Sequence, residues 1–521
     1  MNPVTVRTPG HMVASADRLA SSVGAAVLAS GGNAVDAAIA TNAAIAVTAP
    51  HMCGLGGDLF ALVHHDGTTY CLNASGRAGS GASAAALRDE GHLTMPLRHD
   101  IRTVTVPGCV DGWVALHERF GTIALADLLQ PAIQLAEYGF PASPLLTGAA
   151  SMLDPQGRVA LHEIAAQAVR PGDRVRRPGA GRALRAIAAS GRDGFYRGEF
   201  GDGLLQLGHG WFSTDDLAHV HADWVTPLTT EAFGVTLATV PPNSQGYLLL
   251  AAARLAEQLE LPADPDDVRW AHLLVEAAKA AGHDRPTVLH EHADGPQLLA
   301  AAAAPDRAAA IHPDRAAHFT PPASAGDTTY LCTADRAGNA VSLIQSNASG
   351  FGSWVVEPST GINLHNRGLG FSLDERHPAA LSPGARPPHT LAPAMALRDG
   401  ELAAVLGTMG GDGQPQILLQ LAVRLFAHQQ SPAPAVHAHR WLLAGPTTGF
   451  DTWTAPEGPT VVVEGGQPEW VEGLRARGHR VAARPHLDSS FGHAHVIVRD
   501  AQGFWAGAAD PRARIGSVAG G

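Results

Sequence analysis

Two adjacent threonines, Thr328 and Thr329, open the stretch GDTTYLCTADRAGNAVSLIQSNASGFGSW, which spans residues 326–354. A threonine hydroxyl is a weak nucleophile, but at a chain terminus the free α-amino group can act as its base. Threonine is also common at the start of β-strands, because β-branched side chains pack well there. The pair therefore has two interpretations: ordinary strand residues, or a nucleophile that becomes a terminus after cleavage.

Other reactive side chains give weaker signals. The histidine pairs 437/439 and 493/495 have metal-ligand spacing, but neither an HExxH motif nor a third acidic ligand accompanies them. The glycine-rich loop 54–57 does not match the phosphate-binding pattern GxxxxGK[ST], so a tight turn is favoured there. The four cysteines lack CxxC spacing, which argues against a zinc knuckle or a disulfide framework. The sequence therefore predicts no metal and no cofactor, and a metal enzyme remains a minor alternative.

The composition is that of a globular protein. The chain has 521 residues, 45% hydrophobic residues and a formal net charge of −12. The negative charge argues against nucleic acid or an anionic membrane surface as the main partner. We see no run of about 18 apolar residues and no signal-peptide pattern, so we expect no membrane span and a cytoplasmic location. The length fits about three domains or one large sandwich.

The first two-thirds of the chain is rich in helical patterns. Residues 15–48 predict two helices, with Ser15, Asp17 and Asn33 as capping candidates. The runs 59–63 and 69–72 predict a strand pair, and residues 110–300 are mainly helical with short strands between. Residues 301–326 are rich in alanine and proline, which predicts an exposed, mobile segment directly before the two threonines.

From Thr328 onward the pattern changes to strand pairs. Turn signals containing glycine separate the two members of each pair, as expected for hairpins. The predicted pairs are 328–335 with 340–346, 393–398 with 402–407, and 493–499 with 503–508. The change from helices to strands thus falls at the two threonines.

A series of motifs over nearly the whole chain carries a resemblance to a known family. These motifs are GGNAVDAAIA (31–40), GLGGDLF (54–60), SGRA (75–78), VPGCVDGW (106–113), DTTY (327–330), GNAVS (338–342), FGSWVV (351–356), GTMGGDGQPQ (407–416) and DPR (510–512). Each is weak alone, but in this order and spacing they resemble the γ-glutamyltranspeptidase family of N-terminal-nucleophile hydrolases.

The resemblance implies a fold and a processing event. The implied fold is an α+β, four-layer αββα sandwich. The precursor would cut itself between Asp327 and Thr328, giving a helix-rich large subunit (1–327) and a strand-rich small subunit (328–521). The two subunits would stay together as one folded unit, with a dimer of such heterodimers as an open option.

The resemblance also assigns roles by position. Thr328 would be the nucleophile, with its freed α-amino group as the base, and Ser346 would hydrogen-bond to it. Gly410 and Gly411 would supply the backbone N–H groups of an oxyanion hole. Arg77 would bind a substrate carboxylate, a task suited to a guanidinium group.

Several positions depart from the family pattern. Where transpeptidases hold the ammonium group of a glutamyl substrate, this chain has Ala348 (beside Asn347), Arg367 and Gly370. Two acceptors are thereby lost and a cation is introduced. The paired serines that help bind the carboxylate are replaced by His389 and Thr390, which can still donate hydrogen bonds.

These departures shape the expected substrate. The segment 371–383 is short where glutathione-processing members carry a longer lid, which predicts an open site. The chain resembles the oxamate amidohydrolase and glutaryl-cephalosporin acylase branch more than the glutathione-processing branch. We expect hydrolysis of γ-glutamyl or related carboxylate-bearing amides, with hydrolysis favoured over transfer. One alternative is an acylase or oxamate amidohydrolase with little γ-glutamyl activity, and another is an unprocessed, inactive binding protein.

Overall fold

The computed structural model describes residues 3–317, 327–445, 452–453 and 458–521, and for Asp327 it describes the backbone only. The strands of this part of the chain are β1 Val6–Thr8, β2 Met12–Ser15, β3 Asp58–His65, β4 Thr68–Ala74, β5 Phe140–Pro141, β6 Arg174–Val175, β7 Asp223–Val225, β8 Leu228–Ala232, β9 Val235–Thr239, β10 Asp327–Ala334, β11 Ala340–Ala348, β12 Val356–Glu357, β13 Ile362–Asn363, β14 Ala394–Arg398, β15 Glu401–Thr408, β16 Trp441–Ala444, β17 Thr460–Glu464, β18 Val481–Arg484, β19 Ala494–Arg499, β20 Trp505–Ala509 and β21 Ser517–Gly520.

Helices occupy much of the first two-thirds of the chain and recur among the C-terminal strands. They are α1 Arg18–Ala29, α2 Ala34–Thr48, α3 Ala84–Asp89, α4 Cys109–Phe120, α5 Leu125–Tyr138, α6 Pro144–Ser151, α7 Pro155–Ala160, α8 His162–Ala165, α9 Pro178–Tyr196, α10 Glu199–Leu207, α11 Thr214–Ala218, α12 Tyr247–Glu257, α13 Val268–Gly282, α14 Arg285–Val288, α15 Gly295–Ala302, α16 Pro305–Ala309, α17 Gln414–Ala422, α18 Pro432–His437 and α19 Pro468–Ala476. Short 3₁₀ turns include Arg367–Gly370 and Gly411–Gly413, and a π-helical turn at Val423–Ala427 follows α17.

Two seven-stranded antiparallel sheets form the centre of the molecule. One has the strand order β1-β20-β19-β15-β14-β9-β8, and the other has the order β21-β2-β10-β11-β3-β4-β7. We call the second sheet the threonine sheet, because it contains Thr328 at the start of β10. The three hairpins that the sequence predicts after Thr328 are confirmed as β10–β11, β14–β15 and β19–β20.

Side chains alternate between two cores along each central strand, as expected for a period of two. On β3, Phe60 and Leu62 pack between the two sheets, whereas Leu59, Ala61 and Val63 join a second core. That second core packs the threonine sheet against α2, α4, α5 and α9. A third core packs the other sheet against α12, α13 and α17. The layer order is therefore helix, sheet, sheet, helix, which confirms the four-layer αββα prediction.

Helix α2 is the central helix behind the threonine sheet. Every one of its residues is buried, which explains why its sequence is apolar on all sides rather than along one stripe. Its N-terminus is closed by a capping box between Asn33 and Asp36, as the sequence predicts for Asn33. At α1 the cap is Asp17, whose carboxylate accepts from the Leu19 N–H, and Ser15 instead ends β2.

The segment predicted to be mobile, 301–326, is only partly described. Its first part contains the end of α15 and the short helix α16, so this portion is ordered structure rather than a featureless linker. Residues 318–326 lie outside the described residues, so the prediction for them is not tested.

Candidate active site

Thr328 lies on β10 at the edge of the space between the two sheets. Tyr330 and Cys332, which follow at every second position along β10, face the core between the sheets. The alternation of side chains along a strand places the Thr328 side chain on the same face. Its hydroxyl donates to Ser346 Oγ on β11 over 3.1 Å, and its side chain is fully buried. Ser346 Oγ also accepts from the Ala348 N–H at 2.8 Å. The structure therefore brings the predicted nucleophile and its predicted hydroxyl partner together.

Gln414, the first residue of α17, is a third group at this hydroxyl. Its Nε2 lies 3.3 Å from Thr328 Oγ1 and donates to it, while its Oε1 accepts from the Ala392 N–H at 3.0 Å. Sequence reasoning did not single out Gln414, although it lies in the quoted motif GTMGGDGQPQ. The available signal was its place in that motif, three residues after the second of the two glycines that were assigned to the oxyanion hole.

The Gly410–Gly411 loop lies directly before α17. The φ angles of 138° for Gly410 and 54° for Gly411 are in the region that favours glycine, which explains the residue type. Gln245 Nε2 holds the loop by donating to Gly411 O at 3.1 Å and to Thr390 O at 2.9 Å. Because the loop leads into Gln414, which contacts Thr328, the loop lies beside the Thr328 hydroxyl. It also precedes the N-terminus of α17, and the N–H groups at a helix N-terminus favour negative charge.

Asp58 at the start of β3 extends the row of polar groups across the sheet. It lies opposite Ser346 in the β3–β11 register, and side chains directly opposite each other share a face. Its Oδ2 accepts from Arg367 Nε at 2.8 Å and from His389 Nε2 at 2.9 Å. Burial disfavours the charged form, but Arg367 and the two histidines His389 and His365 outweigh it and hold the Asp58 pKa well below its ordinary value. Asp58 is therefore an ionised carboxylate.

Arg367 is a buried cation whose charge Asp58 offsets. Its side chain is 2% exposed, and besides the bond to Asp58 its Nη1 donates to Thr390 Oγ1 at 3.2 Å. Its Nη2 is buried and has no hydrogen-bond partner among the described residues. Sequence reasoning placed Arg367 in the acyl pocket but missed Asp58, because 309 residues separate the two.

His389 uses both ring nitrogens inside the protein. Nε2 bonds to Asp58, and Nδ1 accepts from the Leu391 N–H at 3.3 Å. Burial, together with the nearby Arg367 charge, lowers its pKa to about 3, so the ring is neutral at neutral pH. In this arrangement His389 positions Asp58 and has no N–H left for a substrate, whereas the sequence interpretation gave it a donor role.

Arg77, the predicted carboxylate ligand, lies in a separate cluster of charges. Its Nη1 is 3.3 Å from Glu291 and donates to Gly384 O at 3.0 Å, and its Nη2 is 3.5 Å from Asp223. About a quarter of its side chain, 26%, is exposed. None of its hydrogen bonds among the described residues reaches Thr328, Arg367 or Thr390.

The positions that replace the family's ammonium ligands offer no acceptor side chain toward Thr328. Asn347 follows Ser346 on β11, so its side chain points to the opposite face, where Nδ2 donates to Pro50 O at 3.0 Å. Ala348 has a φ of 70°, which is rare for a non-glycine residue. A Cβ at Gly370 would lie 2.4 Å from Pro388 O, so this position is closed to larger residues.

Two groups of described side chains are close enough to share an ion: His272, Glu276 and His479, and His439, Glu464 and His486. In the first group Lys279 Nζ already pairs with Glu276 at 2.8 Å. In the second group Glu464 pairs with Arg512. His493 and His495 are buried, and burial lowers their pKa values to about 3 and about 4.

Among the helices of the described residues, none combines the length and the apolar character that a membrane span requires.

The fold is that of the N-terminal-nucleophile hydrolases, and comparisons with known proteins give the family. A gamma-glutamyltranspeptidase family model matches residues 20–520. The chain is 38% identical over 541 residues to the oxamate amidohydrolase proenzyme of Klebsiella pneumoniae, covering all of both chains. It is 35% identical over 537 residues to a glutathione hydrolase-like proenzyme of Bacillus subtilis, covering 98% of each. The solved cephalosporin acylase from Bacillus halodurans superimposes with a TM-score of 0.90 at 33% identity, covering 100% of this chain and 97% of that one. The chain therefore belongs to the γ-glutamyltranspeptidase family, whose enzymes hydrolyse amides or transfer acyl groups.

Proposed function

We propose that this protein is a self-processing threonine amidohydrolase that cleaves amides whose acyl group carries a free carboxylate. The observation that carries the proposal is the Thr328 hydroxyl, which donates to Ser346 and accepts from Gln414 beside a glycine loop at a helix N-terminus. The relatives named as proenzymes, among them an oxamate amidohydrolase, support both the processing and the choice of substrate.

In the processing step, Thr328 Oγ attacks the carbonyl carbon of Asp327. The C–N bond breaks as the Thr328 nitrogen takes a proton, and water hydrolyses the resulting ester. The products are a carboxylate on Asp327 and a free α-amino group on Thr328.

In catalysis, the freed amine accepts the hydroxyl proton and Thr328 Oγ attacks the acyl carbonyl. The N–H groups of Gly410 and Gly411 stabilise the developing oxyanion, a contribution of about 3 kcal/mol for one such donor. The leaving amine takes the proton, and water then hydrolyses the acyl-enzyme. We expect hydrolysis to be favoured over transfer, because the segment 371–383 is short where glutathione-processing members of the family carry a longer lid.

Processing is tested by the length of the chain. Purified wild-type protein should give two fragments on a denaturing gel, and the smaller one should begin at Thr328 on N-terminal sequencing. Thr328→Ala should stay full length, because no hydroxyl can attack Asp327, and Thr328→Ser should still be cut. Thr329→Ala is the matched control, since the neighbouring side chain faces the other side of the sheet and its loss should leave cleavage intact. Two fragments from folded Thr328→Ala would contradict the proposal.

Substrate choice is tested by comparing kcat/KM for γ-glutamyl and glutaryl derivatives of one chromogenic amine. The two acyl groups share a terminal carboxylate, but only the γ-glutamyl group adds an ammonium. We expect the glutaryl compound to be hydrolysed faster, because Ala348, Arg367 and Gly370 provide no acceptor for the ammonium. A tenfold or larger preference for the γ-glutamyl compound would show that another residue supplies the missing acceptor.

A further inference from the structure

We propose that Arg367 and Thr390, rather than Arg77, bind the carboxylate of the acyl group, so that the preferred substrates are monoamides of short dicarboxylic acids. This inference rests on the proposed function and specifies the substrate subsite of the same threonine.

The geometry of Arg367 points to a missing anionic partner. Its Nε is used by Asp58 and its Nη1 by Thr390, while Nη2 is buried without a partner among the described residues. Leaving a buried charged donor without an acceptor costs free energy. A substrate carboxylate oxygen at Nη2 would satisfy that donor with a charge-assisted bond.

Thr390 provides a second donor at the same place. Its Oγ1 accepts from Arg367 Nη1, and a hydroxyl that accepts can still donate its own proton. One carboxylate could thus bind Nη2 through one oxygen and the Thr390 hydroxyl through the other. His389 cannot take this role, because both of its ring nitrogens already have protein partners.

The charge of Asp58 explains how Arg367 can lie buried before substrate binds. The ionised Asp58 carboxylate offsets the guanidinium charge, so the two groups form a neutral pair by themselves. Asp58 Oδ1 also lacks a hydrogen-bond partner among the described residues. This oxygen would repel a carboxylate placed next to it, so the substrate carboxylate is expected on the Nη2 side of the guanidinium.

The position of the pair limits the length of the acyl group. Thr328, Ser346 and Asp58 lie in one row across three adjacent strands, and neighbouring strands are about 4.8 Å apart. Asp58 is thus about 10 Å from the nucleophile along the sheet. Thr390 is tied to the oxyanion loop through Gln245. The acyl group that we expect to fit between Thr328 and Arg367 is therefore a short one, such as glutaryl.

The surroundings of Arg77 make it the weaker candidate. Its Nη1 contacts Glu291 and the carbonyl oxygen of Gly384, and its Nη2 contacts Asp223, so both terminal nitrogens already have acceptors. Arg386 also pairs with Asp223 at 2.9 Å, so two arginines and two carboxylates balance each other in this cluster without a substrate. We therefore assign Arg77 a positioning role for the loop at Gly384.

The test compares two substrates in each variant: glutaryl p-nitroanilide, and its analogue with a carboxamide in place of the carboxylate. Wild-type enzyme should prefer the carboxylate by about 10- to 100-fold in kcat/KM, as expected for one charge-assisted contact. Arg367→Gln should abolish most of this preference, and Thr390→Val should reduce it. Arg77→Gln should keep the preference, even if its overall activity falls. Arg170→Gln is the matched control, because Arg170 is 82% exposed, lies outside the segments assigned to the site and should change neither rate.

The outcomes separate this inference from the proposed function. If Arg77→Gln loses the preference and Arg367→Gln keeps it, the inference is overturned and the amidohydrolase proposal stands. If wild-type enzyme shows no preference, the carboxylate requirement itself is wrong. If Arg367→Gln fails to fold because Asp58 is left unpaired, the variant Asp58→Asn/Arg367→Gln removes both charges and gives the same comparison. Self-cleavage, seen on a denaturing gel, reports correct folding in each case.

Discussion

At the scale of single residues, the site depends on groups that differ in charge state. Asp58 is held ionised, His389 is held neutral, and Arg367 carries the positive charge between them. Asp58 and His389 are therefore not expected to change their protonation between about pH 6 and 9. A rate change in this range must therefore come from another group.

The first prediction concerns that pH dependence. An α-amino group has an ordinary pKa of about 7.7–8.0, and only its unprotonated form can accept the Thr328 proton. The rate should therefore be low below this pKa, rise as pH passes through it, and level off above it. The measurement is kcat/KM for a glutaryl anilide from about pH 6 to 9. A flat profile would indicate another base or a rate-limiting step other than chemistry.

The second prediction concerns recovery of γ-glutamyl activity. Arg367→Gln removes the cation, and Ala348→Asn restores an acceptor at a position whose φ of 70° asparagine tolerates better than alanine. The double variant should shift the ratio of γ-glutamyl to glutaryl kcat/KM toward γ-glutamyl by about tenfold. Gly370→Asp is not a useful partner, because its Cβ would lie 2.4 Å from Pro388 O. An unchanged ratio would mean that residues 348 and 367 do not line the acyl pocket.

At the scale of elements, the two sheets meet closely where Tyr330 on β10 packs over Gly407 on β15. A Cβ at Gly407 would lie 2.1 Å from the Tyr330 ring, and the Tyr330 hydroxyl is fixed by a 2.9 Å bond to Ser342. Since the ring has little freedom to move, contact between the sheets requires glycine at this point.

The third prediction follows from that contact. Gly407→Ala should lower the free energy of unfolding by about 1–3 kcal/mol, the usual cost of overpacking a core. Urea unfolding of the inactive Thr328→Ala precursor measures this for one continuous chain. Gly148→Ala in α6 is the control, since the added Cβ would have no atom within 4 Å apart from its own stretch of helix, and alanine favours a helix. Equal unfolding midpoints for the two variants would contradict the packing argument.

Individual elements were more predictable than the contacts between them. Alternation and glycine turns were enough to predict the hairpins β10–β11 and β14–β15, because these signals are local. The Asp58–Arg367 pair and the Gln414–Thr328 bond join distant parts of the chain, so no local pattern could predict them. The resemblance to the family placed Thr328 and Ser346 correctly relative to each other, but it could not show which way Asn347 points.

At the scale of the whole molecule, the segments 1–327 and 328–521 contribute alternately to both sheets. In the threonine sheet, β10 and β11 from the second segment lie between β2 and β3 from the first. In the other sheet, β1 on one side and β8 and β9 on the other come from the first segment and enclose four strands of the second. Neither segment contains all the strands of either seven-stranded sheet.

The last prediction is that cleavage between Asp327 and Thr328 does not release the two subunits. Separating them would break the β2–β10 and β11–β3 ladders and expose the core between the sheets, so the processed fragments should co-elute in size-exclusion chromatography. They should separate only in denaturant, with both fragments unfolding in one transition. Each segment expressed alone should lack a cooperative transition, because β10 without β2 and β3 has no complete sheet to join. Recovery of a folded, monomeric 328–521 fragment would contradict this account and would show that the strand-rich segment is a domain in its own right.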